Sequence, residues 1–244
     1  MDRAEGRGEA TVNGSLRDAA ERVERRIADA CERSGRRRED VGVIAVTKYV
    51  SLARTIEAIE AGYPNVGENR WQDAKDKWEA LRARVGVAWH FIGHLQTNKV
   101  KDVLGRFHTI HSLDRWSLAD EIQKKAERLG IVVPCFVQLN VSGEASKHGM
   151  APEEFMPFLS RLSECSSIEV VGLMTMAPHE EDPERTRPVF RRLRELRDEA
   201  NARNAYGKPI PHLSMGMSND FEVAVEEGAT WIRLGSILVG NEVG

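Results

Sequence analysis

The chain has 244 residues, of which 41% are hydrophobic and 30% charged, and its formal net charge is −3. This composition is ordinary for a soluble globular protein, and the slight acidity gives no global field that would attract nucleic acid or an anionic membrane. The longest basic run, Arg36 to Arg38, is followed at once by Glu39 and Asp40, which favours a solvated helix end over a nucleic-acid site. No apolar segment reaches the ~18 residues of a membrane helix. We therefore expect neither nucleic acid nor a membrane as a partner.

The cysteines and the first residues bear on the cellular compartment. Cys31, Cys135 and Cys165 lie far apart and are odd in number, which argues against a disulfide framework and fits a reducing cytoplasm. Residues 1–14 lack the apolar core of a signal peptide. We predict a cytoplasmic protein with a disordered tail at 1–14 and a folded domain at 15–244.

In chain order, the first predicted element is a helix from Ser15 to Ser34, where Ser15 and Asp18 form a capping pair and apolar residues recur at steps of three and four. Apolar runs then predict eight strands, at 41–46, 65–67, 87–92, 107–111, 131–141, 169–174, 212–214 and 231–234. Amphipathic segments between them predict helices at 52–61, 69–84, 96–104, 114–129, 152–165, 183–201 and 219–227, with Asp114 as the cap of the fourth.

Strict alternation of strands and helices indicates parallel strands, and eight such units favour a closed (β/α)8 barrel, the TIM barrel. The leading helix is then an extra element outside the barrel. The competing architecture is a doubly wound open sheet, which usually carries a glycine-rich turn after its first strand. Here the first strand is followed by "TKYVSLART", which has no glycine. We predict one α/β domain.

Polar residues follow most of the predicted strands, at the edge where such barrels place their chemistry. The first is Lys48, just beyond the apolar strand 41–46. Partial removal from water favours the neutral amine of a lysine, and a neutral amine forms a Schiff base with an aldehyde. Proteins hold pyridoxal 5′-phosphate (PLP) in this way. The plainer interpretation is a lysine whose charged end reaches solvent.

Two short loops after the last two strands are candidate phosphate sites. The segment "LSMGMSND", which contains Ser214, Gly216, Met217 and Ser218, runs from a strand into a helix, and backbone N–H groups at such a turn bind anions. The segment "RLGS" ends the last strand with Gly235 and Ser236. Loops after strands seven and eight are a frequent phosphate site in this architecture.

Arg233 lies on an otherwise apolar strand. One interpretation is a buried arginine paired with a carboxylate. The other is a cation facing a cofactor ring, where it leaves a pyridine nitrogen unprotonated because arginine only donates hydrogen bonds. His90 and His94 have an HxxxH spacing, but Gly93 and the strand context make a helical metal pair a poor interpretation. With His108 they are predicted to be loop or core residues, as is His111, and no metal is assigned.

Several motifs together resemble one known family. They are "AVTKYVS", "VGENRWQDAKDK", "WHFIGHLQTNK", "IHSLDRWSLADEI", "QLNVSGEASKHGM", "GLMTMAP" and "LSMGMSNDFEVAVEEGATWIRLGSILVG", which together span residues 45–240. In order and spacing the set resembles the pyridoxal phosphate homeostasis proteins. The resemblance implies a barrel like the N-terminal domain of alanine racemase, Lys48 as the Schiff-base lysine, and Arg233 near the ring nitrogen. It also implies Ser214, Gly235 and Ser236 around the phosphate.

The "GEN" motif adds Asn69, which the resemblance places near the cofactor. From residues and resemblance together, the predicted PLP site consists of Lys48, Asn69, Ser214, Gly216, Met217, Arg233, Gly235 and Ser236. The chain departs from the family pattern in "TKYVS", where "SKTKP" is commoner, in Ser236, where threonine is usual, and in His94, where proline is usual. Serine keeps the hydroxyl, so we expect the phosphate site to persist.

The resemblance implies a non-enzymatic PLP-binding regulator of vitamin B6 balance. The sequence agrees, because racemisation needs a second proton-transfer group opposite the lysine. Of the three tyrosines, strand alternation points Tyr49 away from Lys48, and Tyr63 and Tyr206 fall at the opposite rim. The leading hypothesis is a monomeric PLP carrier without catalytic residues that buffers PLP or delivers it to PLP-dependent apoenzymes. The alternatives are a weak PLP-dependent amino-acid racemase and a sugar-phosphate enzyme without PLP.

Overall fold

A computed structural model describes residues 15–144 and 147–241 of the chain. The predicted tail at 1–14 lies outside the described residues. No helix in the described part is both long and apolar enough to cross a membrane.

Eight parallel strands close into a barrel in chain order, each hydrogen-bonded to the next and β8 to β1. The predicted barrel is therefore confirmed, and the open sheet is excluded. The strands are β1 (Gly42–Val46), β2 (Asn65–Glu68), β3 (Ala88–Phe91), β4 (Thr109–Leu113), β5 (Val133–Gln138), β6 (Ile168–Met174), β7 (His212–Ser214) and β8 (Trp231–Leu234).

The helices surround the barrel, and all but the first connect its strands. They are α1 (Leu16–Arg33), α2 (Leu52–Glu60), α3 (Trp71–Leu81), α4 (Val100–Val103), α5 (Trp116–Leu129), α6 (Pro152–Leu162), α7 (Arg187–Ala202) and α8 (Phe221–Glu226). Two predicted helices begin as short 3-10 turns, Thr97–Lys99 before α4 and Pro183–Thr186 before α7.

The predicted cap of α5 is wrong. Its N-cap is Arg115, which makes no side-chain capping bond. Asp114 lies one residue before the N-cap position. Its carboxylate accepts a hydrogen bond of 2.6 Å from Arg115 Nη1 and does not cap the helix.

The extra helix α1 packs on the outside of the barrel, as predicted. Ser15 and Asp18 form the expected capping box. Arg26 joins α1 to α8 through Glu222, with a distance of 2.7 Å between Nη2 and Oε2, and its guanidinium lies 4.7 Å from the ring centroid of Phe221. In the basic run, Arg36 donates to the carbonyl of Val225, so this residue attaches the region to α8 and is more than a solvated helix end.

The barrel interior contains polar side chains. TIM-barrel interiors are mostly filled by branched apolar side chains. Here His111 on β4 reaches Ser214 on β7, at 3.0 Å between Nδ1 and Oγ, a contact that only side chains inside the barrel make. The buried polar residues on the strands and their carboxyl ends are Thr47, Glu68, His90, His111, Ser112, Gln138, Thr175, Ser214 and Arg233.

Candidate functional site

A cavity of about 640 Å³ opens at the carboxyl end of the strands, which is within the size range of small-molecule sites. Six of the eight predicted site residues line it together: Lys48, Asn69, Met217, Arg233, Gly235 and Ser236. The remaining lining residues are Val46, Ile92, Gly93, His94, Gln138, His148, Met176, His179, Ser218, Asn219 and Ile237.

Lys48 is half-buried and lies in a turn two residues beyond the end of β1. Its Nζ is 4.7 Å from the ring centroid of Tyr49. The prediction that Tyr49 points away from Lys48 is therefore wrong. The chain has left the strand at Val46, so the alternation of side chains between two faces no longer applies. Tyr49 is 64% exposed and covers the lysine from outside the cavity lining.

A buried ion pair holds the turn that carries Lys48. Lys77 Nζ, on α3, donates to the Thr47 carbonyl at 2.7 Å and to Glu68 Oε1 at 2.6 Å. Thr47 Oγ1 donates to the same carboxylate oxygen at 2.6 Å. Burial raises the pKa of Glu68, an effect that the ammonium of Lys77 opposes. Lys77 thus holds the Thr47 carbonyl and Glu68 holds the Thr47 side chain. Together they fix the residue that precedes Lys48.

Two neighbouring loops supply backbone donors to the cavity. The Gly235 N–H donates to Ser218 Oγ at 3.3 Å, which joins the loop after β8 to the loop after β7. Within the described part of the chain, the amides of Ser218, Asn219, Ser236 and Ile237 make no hydrogen bond. Unpaired N–H groups at a loop before a helix are a ready anion site. Ser218 belongs to the turn flagged in the sequence but was missing from the predicted site.

The structure does not place Ser214 or Gly216 on the cavity lining. Ser214 is fully buried behind Arg233. Gly216 has a φ of +91°, and a Cβ there would lie 2.5 Å from that of Ala224, so this position requires glycine. Met217 lines the cavity, but its N–H donates to Asp220 Oδ1 at 2.6 Å. Any role of these three residues in holding a ligand stays a prediction.

Arg233 lines the cavity floor and is only 4% exposed. Its Nη1 donates to Ser214 Oγ at 2.7 Å and its Nη2 to the Thr175 carbonyl at 3.0 Å. Burial lowers the pKa of Arg233 to about 10, so the side chain remains a cation at neutral pH. The interpretation of Arg233 as an arginine paired with a carboxylate is wrong, because no described residue forms an ion pair with it.

Sequence reasoning missed three histidines at the cavity. His94, His148 and His179 all line it, and the first two stack with ring centroids 4.5 Å apart and planes 19° apart. Only the unusual His94 in "FIGHLQ" drew attention to this rim, and nothing in the pattern brings it to His148. In the described part of the chain, no three histidine, cysteine or acidic side chains group as metal ligands.

The donor set fits a phosphorylated heteroaromatic aldehyde. Lys48 supplies a primary amine, Arg233 a hydrogen-bond donor on the floor, and the paired loops supply unpaired amides for an anion. Asn69 adds a buried Oδ1 that has no hydrogen-bond partner among the described residues. These are the groups that a PLP site needs: an amine for the aldehyde, a partner for the ring nitrogen and an anion cradle for the phosphate.

The fold and the site together define a barrel of the alanine racemase type. Residues 20–243 match the family model "Alanine racemase, N-terminal domain". Alanine racemase from Corynebacterium glutamicum shares the fold at 15% identity with a TM-score of 0.65, over 91% of this chain and 60% of that one.

Within this class, sequence similarity identifies the particular family. The chain is 47% identical to the pyridoxal phosphate homeostasis protein of Aquifex aeolicus, over 92% of this chain and 98% of that protein. It is 34% identical to PipY of Synechococcus elongatus, whose structure has PLP bound, with a TM-score of 0.79 over 89% of this chain and 100% of that one. The chain belongs to the pyridoxal phosphate homeostasis protein family.

Proposed function

We propose that this chain binds PLP as a Schiff base on Lys48 and holds it in a buffered, releasable form without catalytic turnover. The observation that carries the proposal is the convergence of a lysine amine, an arginine donor and unpaired loop amides on one cavity. The names of the relatives and the PLP bound to PipY support the choice of cofactor.

Each part of the cofactor has a partner in this arrangement. The amides and hydroxyls of Ser218 and Ser236, at the junction of the two loops, would hold the phosphate. Arg233 donates to the ring nitrogen and leaves it unprotonated, because arginine has no proton to give up at neutral pH. An unprotonated ring is a weak electron sink. The arrangement therefore favours storage over chemistry at the amino-acid α-carbon.

Lys48 would hold the cofactor through its amine, because the aldehyde of PLP condenses with a primary amine to form a C=N bond and release one water. Lys48 reaches the cavity from a turn and is only half-buried. Water therefore has access to the bond, so hydrolysis can return the free aldehyde. This reversibility is what buffering requires.

Borohydride reduction followed by peptide mapping tests the proposal. Reduction of the PLP-loaded protein is expected to fix one pyridoxyl group on Lys48 and to remove the cofactor absorbance band. Lys48→Ala should lose the adduct. Lys75→Ala, which removes an exposed lysine on α3, should keep it. An unmodified Lys48 in the wild type, or no absorbance band after addition of PLP, would contradict the proposal.

A weak PLP-dependent racemase is the second candidate, and the cavity histidines favour it. His94, His148 and His179 are possible proton-transfer groups that the tyrosine argument overlooked. Exchange of the α-proton of small amino acids in deuterated water separates the two functions. Sustained exchange that Lys48→Ala abolishes would establish the enzyme. A carrier without catalytic activity would exchange no more amino acid than there is protein in the sample.

The proposal also covers the cellular location, the oligomeric state and the recipients of PLP. We expect a cytoplasmic monomer that gives PLP up to PLP-dependent apoenzymes. Sedimentation of the holoprotein tests the monomer, and activation of an apoenzyme in the presence of a trap for free PLP tests delivery. The third alternative, a sugar-phosphate enzyme, predicts binding of phosphate esters and no absorbance band with PLP.

A further inference from the structure

Arg233 is a buried cation whose hydrogen-bond partners are all neutral. Nη1 and Nη2 donate to a hydroxyl and a carbonyl, those of Ser214 and Thr175. Asp220 attracts the guanidinium, but its Oδ1 accepts from the Met217 N–H and it forms no ion pair with Arg233. Buried charges are usually paired with an opposite charge. The question is what holds this cation in place.

A chain of hydrogen bonds leads from Arg233 across the barrel interior. Ser214 Oγ lies 3.0 Å from His111 Nδ1. His111 Nε2 lies 3.0 Å from His90 Nδ1, and His90 Nε2 lies 3.2 Å from Asn65 Oδ1. The chain thus passes through β8, β7, β4, β3 and β2, and uses both nitrogens of each imidazole.

The direction of donation along this chain follows from its two ends. Arginine only donates, so the Ser214 oxygen accepts from Arg233. Asn65 Oδ1 only accepts, so a neutral His90 ring donates to it from Nε2 and accepts at Nδ1 from His111. The Nδ1 of His111 then accepts the Ser214 proton. His111 then carries its proton on Nε2 and donates to His90 Nδ1. His90 also carries its proton on Nε2 and donates to Asn65. Every bond therefore donates away from Arg233.

Both imidazoles are neutral and packed in place. Burial lowers the pKa of His90 to about 4 and the pKa of His111 well below its usual value. The His111 ring stacks on Phe136, with centroids 4.2 Å apart and planes 14° apart. The His90 ring lies 5.3 Å from that of Trp231. Neither ring can turn without losing this packing.

We propose that His90 and His111 are positioning residues for Arg233. They hold the Ser214 hydroxyl so that its oxygen faces the guanidinium as a hydrogen-bond acceptor. All of the groups in this chain behind Arg233 are neutral. A carboxylate in the same place would hold Arg233 equally well but would neutralise it. The neutral chain fixes the direction of the guanidinium donors and leaves the positive charge available to an anionic, hydrogen-bond-accepting heteroaromatic ligand. The ligand class rests on the proposed function, whereas the hydrogen-bond chain does not.

Nitrogen-15 NMR of the histidine side chains tests the chain in the ligand-free protein. His90 and His111 are both expected as neutral rings protonated on Nε2 at pH 7. An imidazolium at either position, or a proton on Nδ1 of either ring, would contradict the proposed direction of donation. The measurement needs no cofactor, so its result is independent of whether PLP is the ligand.

A His111→Phe variant tests positioning, because phenylalanine keeps a planar ring on Phe136 but cannot bridge. Its matched control is His212→Phe, which alters another barrel histidine. The His212 ring also lies near Phe136, and its Nδ1 lies 3.3 Å from Thr230 Oγ1. The probe is pyridoxine 5′-phosphate, which lacks the aldehyde and so binds without Lys48. His111→Phe should weaken its binding about tenfold or more, and the control should leave it unchanged.

The NMR signals of the Arg233 guanidinium distinguish positioning from a general loss of stability. In the wild type the η protons should be resolved, because Nη1 and Nη2 are both held. In His111→Phe they should average, while in the control they should stay resolved. Unchanged affinity together with resolved η signals in His111→Phe would overturn the proposal.

A smaller change provides the second variant if His111→Phe does not fold. Ser214→Ala removes the single hydroxyl between Arg233 and the imidazoles, and Ser214→Thr retains it. The alanine variant should bind the probe about tenfold more weakly, and the threonine variant should bind like the wild type. Equal binding by all three proteins contradicts the proposal. Failure of the wild type to bind either PLP or the probe contradicts the proposed function instead.

Discussion

Lys77 and Arg233 are both buried cations near the carboxyl end of the barrel, but they are held in opposite ways. Lys77 contacts a carboxylate, Glu68 Oε1, at 2.6 Å. Arg233 contacts a hydroxyl and a carbonyl. The charge of Lys77 is matched inside the protein and serves the backbone turn before Lys48. Arg233 forms no ion pair inside the described chain, so its charge remains available to a ligand.

The difference shows how similar side chains come to have structural and ligand-binding roles. In a buried ion pair, the cost of removing both charges from water offsets much of their attraction. Removing one member leaves the other as an unpaired buried charge, which destabilises the fold. A buried cation that contacts only neutral acceptors can still bind an anionic ligand. Comparing substitutions at the two positions should therefore separate loss of stability from loss of binding.

The largest effect is expected for Lys77→Met. It leaves Glu68 buried with no cation, which should lower the free energy of unfolding by about 3–5 kcal/mol. Urea denaturation measures this loss. Lys75→Met, at an exposed position on the same helix, should change it by less than about 0.5 kcal/mol. An equal, small effect of both substitutions would show that the Lys77–Glu68 pair does not hold the turn.

Arg233→Met should have the opposite profile. Arg233 forms no ion pair, and removing a buried charge also removes its desolvation cost, which offsets the loss of its bonds to Ser214 and Thr175. The free energy of unfolding should therefore change by clearly less than the loss of about 3–5 kcal/mol expected for Lys77→Met. Binding of pyridoxine 5′-phosphate should fall about 10- to 100-fold, since a hydrogen bond from a charged group contributes about 1.5–3 kcal/mol. Calorimetry and urea denaturation of the same sample measure both. Large destabilisation with unchanged binding would reverse the comparison.

The neutral chain behind Arg233 also predicts a loss of stability in mild acid. The pKa of His90 is about 4 in the folded state against 6.5 as the ordinary value, so the unfolded chain binds the proton more tightly. Stability is therefore present above pH 6.5 and is lost as the pH falls towards 4. Between pH 7 and 5 His90 alone should account for about 2 kcal/mol. Urea denaturation across this range measures the loss.

The control for this pH dependence is a His90→Phe variant, which cannot take up the proton. Its stability should fall less steeply than that of the wild type between pH 7 and 5, whatever its absolute value at pH 7. Equal slopes for the two proteins would show that His90 is not the group that titrates.

The sequence predicted the barrel because its evidence is local and repeated. Most strands are short apolar runs bounded by polar residues, and strict alternation determines the topology. The limits of β7 and β8 were predicted to the residue. The error at Asp114 has another cause: its carboxylate accepts a hydrogen bond from the adjacent Arg115 and does not cap α5, and a capping pattern does not show which of several donors an acidic side chain takes.

The site was predicted where residues follow strand ends and missed where loops meet. Lys48, Arg233 and the "RLGS" loop were found because the barrel topology brings strand ends together. His148 and His179 lie in long loops, whose positions on the rim no local pattern predicts. The bonding of His111 to Ser214 is a contact across the barrel interior, and periodicity along one strand gives no information about such contacts.

The smallest effect concerns Lys48, which lines the cavity with Arg233 and makes no ion pair or hydrogen bond with the described residues. Its Nζ lies over the Tyr49 ring, and such a contact at an exposed site contributes about 0.5–1 kcal/mol. Condensation with an aldehyde requires the amine to leave this contact. Tyr49→Leu should therefore speed the reaction with PLP about two- to fivefold and leave stability unchanged, as measured by stopped-flow absorbance. Tyr49→Phe retains the aromatic face and should react at the wild-type rate. A slower reaction in Tyr49→Leu would mean that the ring guides the amine towards the cavity, so that Lys48, like Arg233, depends on neutral neighbours for its direction.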